Sequence, residues 1–178
     1  MALSAVAVWV FITISAFPVS ALAQTNDAAL LLFEQAASME QENPTQAIAT
    51  YEQVMQRFGR RTPAATRALA ARALLNKGSV FSEQGHLKDA IYTYERIERN
   101  FGNERLPDIR EVLASALVSR AEAFYKLGDT EKTLALYTQL AQRFGNDEND
   151  YIRSLIDVTS WRIAEIKVAD KTALSSRP

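Results

Sequence analysis

From Thr45 onward, apolar side chains return at steps of three and four residues, the spacing that lines one face of an α-helix. In Thr45–Phe58 they are Ile48, Tyr51, Val54, Met55 and Phe58, with Glu52, Gln53, Gln56 and Arg57 between them. The pattern is written three times, as AIATYEQVMQRFG from Ala47, AIYTYERIERNFG from Ala90 and TLALYTQLAQRFG from Thr133. Successive copies start 43 residues apart, and each ends in Phe-Gly. Each opens on a small residue (Ala47, Ala90, Thr133) and carries a tyrosine four places later (Tyr51, Tyr94, Tyr137). A fixed period of this size marks helical units that bury their apolar faces only against one another.

Longer helices are expected between the copies. Asp27–Gln41 opens the series, with Asn26 or Asp27 as cap and Leu30, Leu31, Phe33 and Ala37 as its apolar side. Asn43-Pro44 stops it and starts the next, because proline's fixed φ and missing donor suit the first helical position. Ala64–Gln84 follows, with Thr62 as cap, Pro63 just inside and Gly85 as terminator. Its Leu69, Ala70, Ala73, Leu74, Gly78 and Phe81 return one period later as Val112, Leu113, Ala116, Leu117, Ala121 and Phe124 in the helix Pro107–Leu127. A polar turn, Asn146–Asp150, precedes a last helix, Tyr151–Ala169, and residues 170–178 are expected to be a disordered tail.

Gly78 then Ala121, Phe81 then Phe124, Gly85 then Gly128, and the Ala90/Tyr94 and Thr133/Tyr137 pairs resemble the tetratricopeptide repeat. The resemblance implies an all-α, right-handed solenoid of three helix pairs plus a C-terminal capping helix, spanning residues 24–169. In that pattern a small residue on the first helix faces a small one on the second, here Gly78 against Ala90 and Ala121 against Thr133. Aromatic pairs, Phe81 with Tyr94 and Phe124 with Tyr137, fill the space between units. The chain departs from the family in three ways. Its unit is 43 residues rather than about 34, each first helix being longer by about two turns at its N-terminal end. The first unit has Gln35 and Ser38 at the small and aromatic positions, and the last helix has Lys167 where Phe is expected.

Composition narrows the function. Twenty basic residues balance twenty-one acidic ones, which gives no basic face for nucleic acid. There is no cysteine, so disulfides, thiol catalysis and thiolate metal sites are excluded. Met1–Ala23 has no charged residue and ends Ala21-Leu22-Ala23, the apolar run and small-residue site of an export signal, though without the usual basic start. It is read as a signal peptide, or as an uncleaved anchor that would be the chain's one membrane contact. The rest is thus expected in the periplasm or another extracytoplasmic compartment. No constellation for catalysis, cofactor or metal is present. His86 is the only histidine, and Asp147, Glu148 and Asp150 lack the alternating ligands and central glycine of a calcium loop.

What remains is a surface. In the resembling family the first helices line a concave groove for a peptide or partner helix. The groove positions carry over to Arg72, Leu75, Asn76, Ser79, Glu122, Tyr125, Val158, Trp161 and Arg162. The slots that clamp a peptide's terminal carboxylate hold Leu75, Ser79, Ser119, Val158 and Arg162, and only Arg162 suits that chemistry, so clamping is not expected. The expectation is a non-catalytic scaffold for a protein or peptide partner. Its alternative is a self-associating unit that uses the terminal helices, with Trp161 as an anchor.

Overall fold

The computed structural model describes residues 19–59 and 63–175, with side chains at 24–59 and 63–169. Among these the chain forms α1 (Val19–Ser38), α2 (Pro44–Phe58), α3 (Ala64–Glu83), α4 (Leu87–Phe101), α5 (Pro107–Lys126), α6 (Thr130–Phe144) and α7 (Asp150–Ser175). Helices of 20 and 15 residues alternate as three pairs, and α7 closes the row. The all-α repeat architecture expected from the periodicity is what the chain adopts.

Local chemistry sets the joints. Asn43 caps α2 by accepting from the Gln46 amide, with Pro44 at the first position. Asp129 caps α6 in the same way, accepting from the Lys132 amide. The long helices α3 and α5 are followed by Gly85 and Gly128 at φ 77° and 78°. In that left-handed conformation the next amides turn back, His86 N–H to the Phe81 carbonyl at 2.8 Å and Asp129 N–H to that of Phe124 at 2.9 Å. Carbonyls left over at the helix ends are thereby satisfied.

The pairs stack into two layers. The long helices pack side by side, α1 on α3, α3 on α5 and α5 on α7, whereas no two of α2, α4 and α6 pack backbone to backbone. A row that is tight in one layer and open in the other curves, with the long helices inside. Between the layers lies the core: Tyr94, Ile97, Phe101, Ile109, Leu113, Leu117, Tyr137, Leu140, Phe144 and Ile152 form one cluster. Tyr51, Val54, Ala36, Ala47 and Ala73 form a second under the first pair, and Phe58 packs against both. Each large side chain so buried stabilises the fold by roughly 1.5–3 kcal/mol, which no single pair could supply alone.

Several expectations shift. α1 begins at Val19 rather than Asp27, so Asn26 sits inside the helix and takes a contact from Thr66 Oγ1 at 3.4 Å instead of capping. Leu30, Leu31 and Ala37 face outward; Ala29 and Ala36 are buried, with Leu32 and Phe33 packed beside them. The first helix follows the repeat after all, displaced by one residue. Ala36 precedes Ala47 by 11 residues where Gly78 precedes Ala90 by 12, so a small-to-small spacing one residue shorter moves the small position from Gln35 to Ala36 and the next one to Met39. Pro63 is the cap of α3 and not its first residue; Thr62 lies outside the described residues. α7 continues to Ser175 where a tail was expected from Asp170, since 170–175 hold no helix breaker. Residues 1–18, most of the expected signal, and 176–178 also lie outside the described residues.

The reason for Gly78 is also different from the one expected. A Cβ there would stand 2.3 Å from Tyr94 Cε1, so the tyrosine ring by itself requires glycine. Phe81 stacks on His86, with centroids 6.3 Å apart, rather than on Tyr94. The first pair makes its aromatic contact elsewhere, Phe33 meeting Tyr51 edge-on at 5.6 Å.

Candidate functional site

The repeated tyrosines are buried in the core, yet each sends its hydroxyl to polar groups of the long helices or, for Tyr51, also to the turn that follows α1. Tyr51 donates to Glu40, and Asn76 Nδ2 of α3 donates to the Tyr51 oxygen at 3.0 Å. The Tyr94 hydroxyl lies beside the side chains of Ser79 of α3 and Ser119 of α5, which offset part of its burial. Tyr137 donates to Glu122 of α5, whose carboxylate also takes Arg162 of α7 at 3.4 Å. Asn76, Ser119 and Arg162 occupy one repeat position, and Ser79 and Glu122 another. Burial raises all three phenols above their ordinary range, and the neighbouring carboxylates Glu40 and Glu122 add to it for Tyr51 and Tyr137. The hydroxyls therefore stay protonated donors and acceptors that tie one unit to the next.

Ion pairs repeat along the edges. Arg67 meets Glu104 at 3.1 Å, and one period later Arg110 pairs with Asp147. Lys77 meets Glu52 and Arg120 meets Glu95, both at 2.6 Å. The short helices touch through long side chains: Arg96 grips Glu52 with two bonds at 2.7 and 2.8 Å, and Arg143 reaches Glu98 at 2.9 Å. The hydrogen bonds from Arg96, followed by that from Lys77, bring Glu52 down to about 2 against the desolvation that opposes them.

These contacts sort the residues singled out in the sequence. Asn76 and Glu122 are engaged by tyrosine hydroxyls, Ser79 lies beside that of Tyr94, and Arg162 is held by Glu122. Leu75 packs partly buried against the core. Tyr125 is exposed, with the Arg162 guanidinium 4.8 Å above its ring. Val158 and Trp161 are exposed on α7, on the side away from the buried Ile152, Thr159 and Ile166. Arg72 alone lies in an open groove, a shallow trough that crosses three long helices and is lined by Asn26, Leu30, Ala65, Ala68, Leu69, Arg72 and Asp108. Its floor is mostly aliphatic, with one cation and one carboxylate in its walls.

Sequence reasoning missed the trough. Leu30 is taken for core in the sequence, and Ala65, Ala68 and Leu69 belong to the two-turn extension that the 43-residue unit adds. That extension was the available signal: longer first helices must meet in a second contact zone.

Among the described residues no group of three or more His, Cys, Asp or Glu is placed to hold a metal ion, and no helix is long and apolar enough to cross a membrane. His86 is exposed beside Phe81, in the turn before α4. Family models described as tetratricopeptide repeat match residues 27–101 and 115–147. Searches of curated proteins and of solved structures find no match.

Proposed function

Since the chain belongs to the tetratricopeptide-repeat family, whose repeats generally mediate protein–protein interactions and are typically non-catalytic, we propose that it is a scaffold of the cell envelope. Its inner layer holds an extended peptide or a helix of another protein. The observation that carries this reading is the trough across α1, α3 and α5. It presents aliphatic surface from Leu30, Ala65, Ala68 and Leu69 between Arg72 and Asp108, a pairing suited to a segment with an apolar side chain and charges of both signs nearby. Beyond it, Leu75 and Tyr125 offer a partly exposed and an exposed remainder of the inner face, with Asn76, Ser79, Glu122 and Arg162 fixing its floor. Export is supported by the uncharged, apolar first 23 residues ending Ala-Leu-Ala.

A photo-crosslinking side chain placed at Leu69, compared with one at Tyr92 on the outer layer, tests the reading in intact cells. We expect a defined adduct from Leu69 that Arg72→Glu suppresses, and none from Tyr92. Equal adducts from both positions, or a Leu69 adduct indifferent to Arg72→Glu, would overturn it. Mass analysis of the purified N-terminus tests the export step, with Gln24 expected as the first residue.

A further inference from the structure

Four large side chains of α7 are about half exposed or more: Tyr151 at 48%, Val158 at 59%, Trp161 at 65% and Val168 at 66%. They fall 7, 3 and 7 residues apart, the a and d spacing of a heptad seam. This is also the face that serves as a joint inside the chain. One period earlier Glu111, Ser115 and Glu122 of α5 stand at the places of Ser154, Val158 and Glu165, and they bond to Asn149, Tyr151 and Arg162 of the α7 segment. In α5 the joint is polar and occupied. In α7 the same places hold Ser154, Val158 and Glu165, and Val158 stands exposed there with Trp161 and Val168, while Tyr151 keeps its hydroxyl on Ser115 and leaves part of its ring open.

We propose that this face is a homodimer interface in which α7 of one copy packs antiparallel on α7 of a second. The intervals 7, 3 and 7 read the same in both directions, so a two-fold axis beside Thr159 and Ser160 sets Tyr151 opposite Val168 and Val158 opposite Trp161, each pair twice. Such self-complementarity is what an isologous contact requires. The charges select the direction. Antiparallel pairing places Glu165, held by Arg162 at 2.7 Å, across from Ser154. Parallel pairing would oppose Glu165 to Glu165 and Trp161 to Trp161. One helix face is small beside the roughly 1,600 Å² of a standard interface, so the dimer is one that dissociates on dilution into the micromolar range. The trough on α1, α3 and α5 is not part of this contact, and the proposal stands or falls independently of it.

The chain has no cysteine, so Ser154→Cys gives the full-length protein a single site for a spin label. In mild detergent the antiparallel dimer sets the two residue-154 Cα atoms about 19 Å apart, against about 9 Å for a parallel pair, from the helical rise and usual interaxial distance. We expect one narrow distance near the larger value, abolished by Trp161→Glu with helicity unchanged, and left intact by Arg72→Glu. The absence of any interspin distance at about 100 µM, well above the expected dissociation range, would overturn the proposal. So would the short parallel distance, or a long one that survives Trp161→Glu. Val158→Ala, a milder change at an exposed position, should weaken the dimer several-fold without touching the fold; an unchanged dissociation constant would count against the interface.

Discussion

The first and last joints of the row are built from the same repeat positions and hold by different forces. Between the first two pairs, Glu52 of α2 is gripped by Lys77 of α3 and Arg96 of α4. One period on, Glu95 keeps a single partner in Arg120 at 2.6 Å. At the last joint the equivalent places hold Thr138 and Ile163; the threonine bonds its own helix at Leu134, and the isoleucine packs on the core. At this position charge gives way to apolar contact along the row, although the last joint keeps a different ion pair, Arg162 with Glu122. The stacking here is thus carried by hydrophobic burial, and the ion pairs reinforce it at places that shift from joint to joint.

The sharpest way to break that contrast is Glu52→Gln. It leaves two half-buried cations facing a neutral amide, and should cost about 2–3 kcal/mol in urea-induced unfolding. The matched change at the last joint, Thr138→Ala, should stay below about 0.5 kcal/mol. Equal costs would mean that the hub adds nothing beyond its packing.

Acid should erase the difference between the joints. Glu52 titrates at about 2 in the folded protein, well below a free glutamate, chiefly through its bonds to Arg96. A depressed folded value stabilises above the unfolded one, and the benefit fades as pH falls towards about 2. The gap between wild type and Glu52→Gln should therefore be full at pH 6, shrink below about pH 4.5 and close near pH 2. A gap that stays constant in stability measured across this range would contradict the assignment.

Ile163→Ala probes the other side of the comparison. This residue is partly buried on the core where its predecessors carry Lys77 and Arg120, so truncation should cost about 1–2 kcal/mol. The loss should be independent of pH. Hydrogen exchange should show it as faster opening of α7, with α2–α4 unaffected.

What the sequence disclosed divides along the same line. Apolar periodicity sufficed for seven helices, their pairing and most of the core, because burial repeats with the residue type. It misplaced α1 by one position, since a repeat spacing one residue shorter rotates every assigned side chain about 100° around the helix. The inner surface was less legible. Asn76, Ser79, Glu122 and Arg162 read as free groove positions because a polar residue on a helix carries no mark of its partner. Only the fold shows that Asn76 and Glu122 are bonded to tyrosines from the core, that Ser79 lies beside a third, and that Arg162 is held by Glu122. The trough of Leu30, Ala65, Ala68 and Leu69 is composed of residues from two helices whose relative register the misplaced α1 obscured.

The smallest expected effects come from the tyrosine hydroxyls, and their order tests whether charge or packing governs each joint. Tyr51→Phe removes the phenol bonded to Glu40 and leaves that carboxylate the longer contact with Asn76 at 3.4 Å, so a cost near 1 kcal/mol is expected. Tyr137→Phe takes the same donor from Glu122, but Arg162 remains 3.4 Å away with its full charge, and the cost should be somewhat lower. Tyr94→Phe deprives only Ser79 and Ser119. Both hydroxyls can turn to the carbonyl four residues back on their own helices, as Ser115 does with Glu111 at 2.9 Å, so its cost should be about 0.5 kcal/mol or less. Thermal or urea unfolding of the three variants should rank them Tyr51, Tyr137, Tyr94. If Tyr94→Phe proved as damaging as the others, the hydroxyls would act by filling space against Gly78 and its counterparts rather than by answering buried charge, and the joints would differ only in volume.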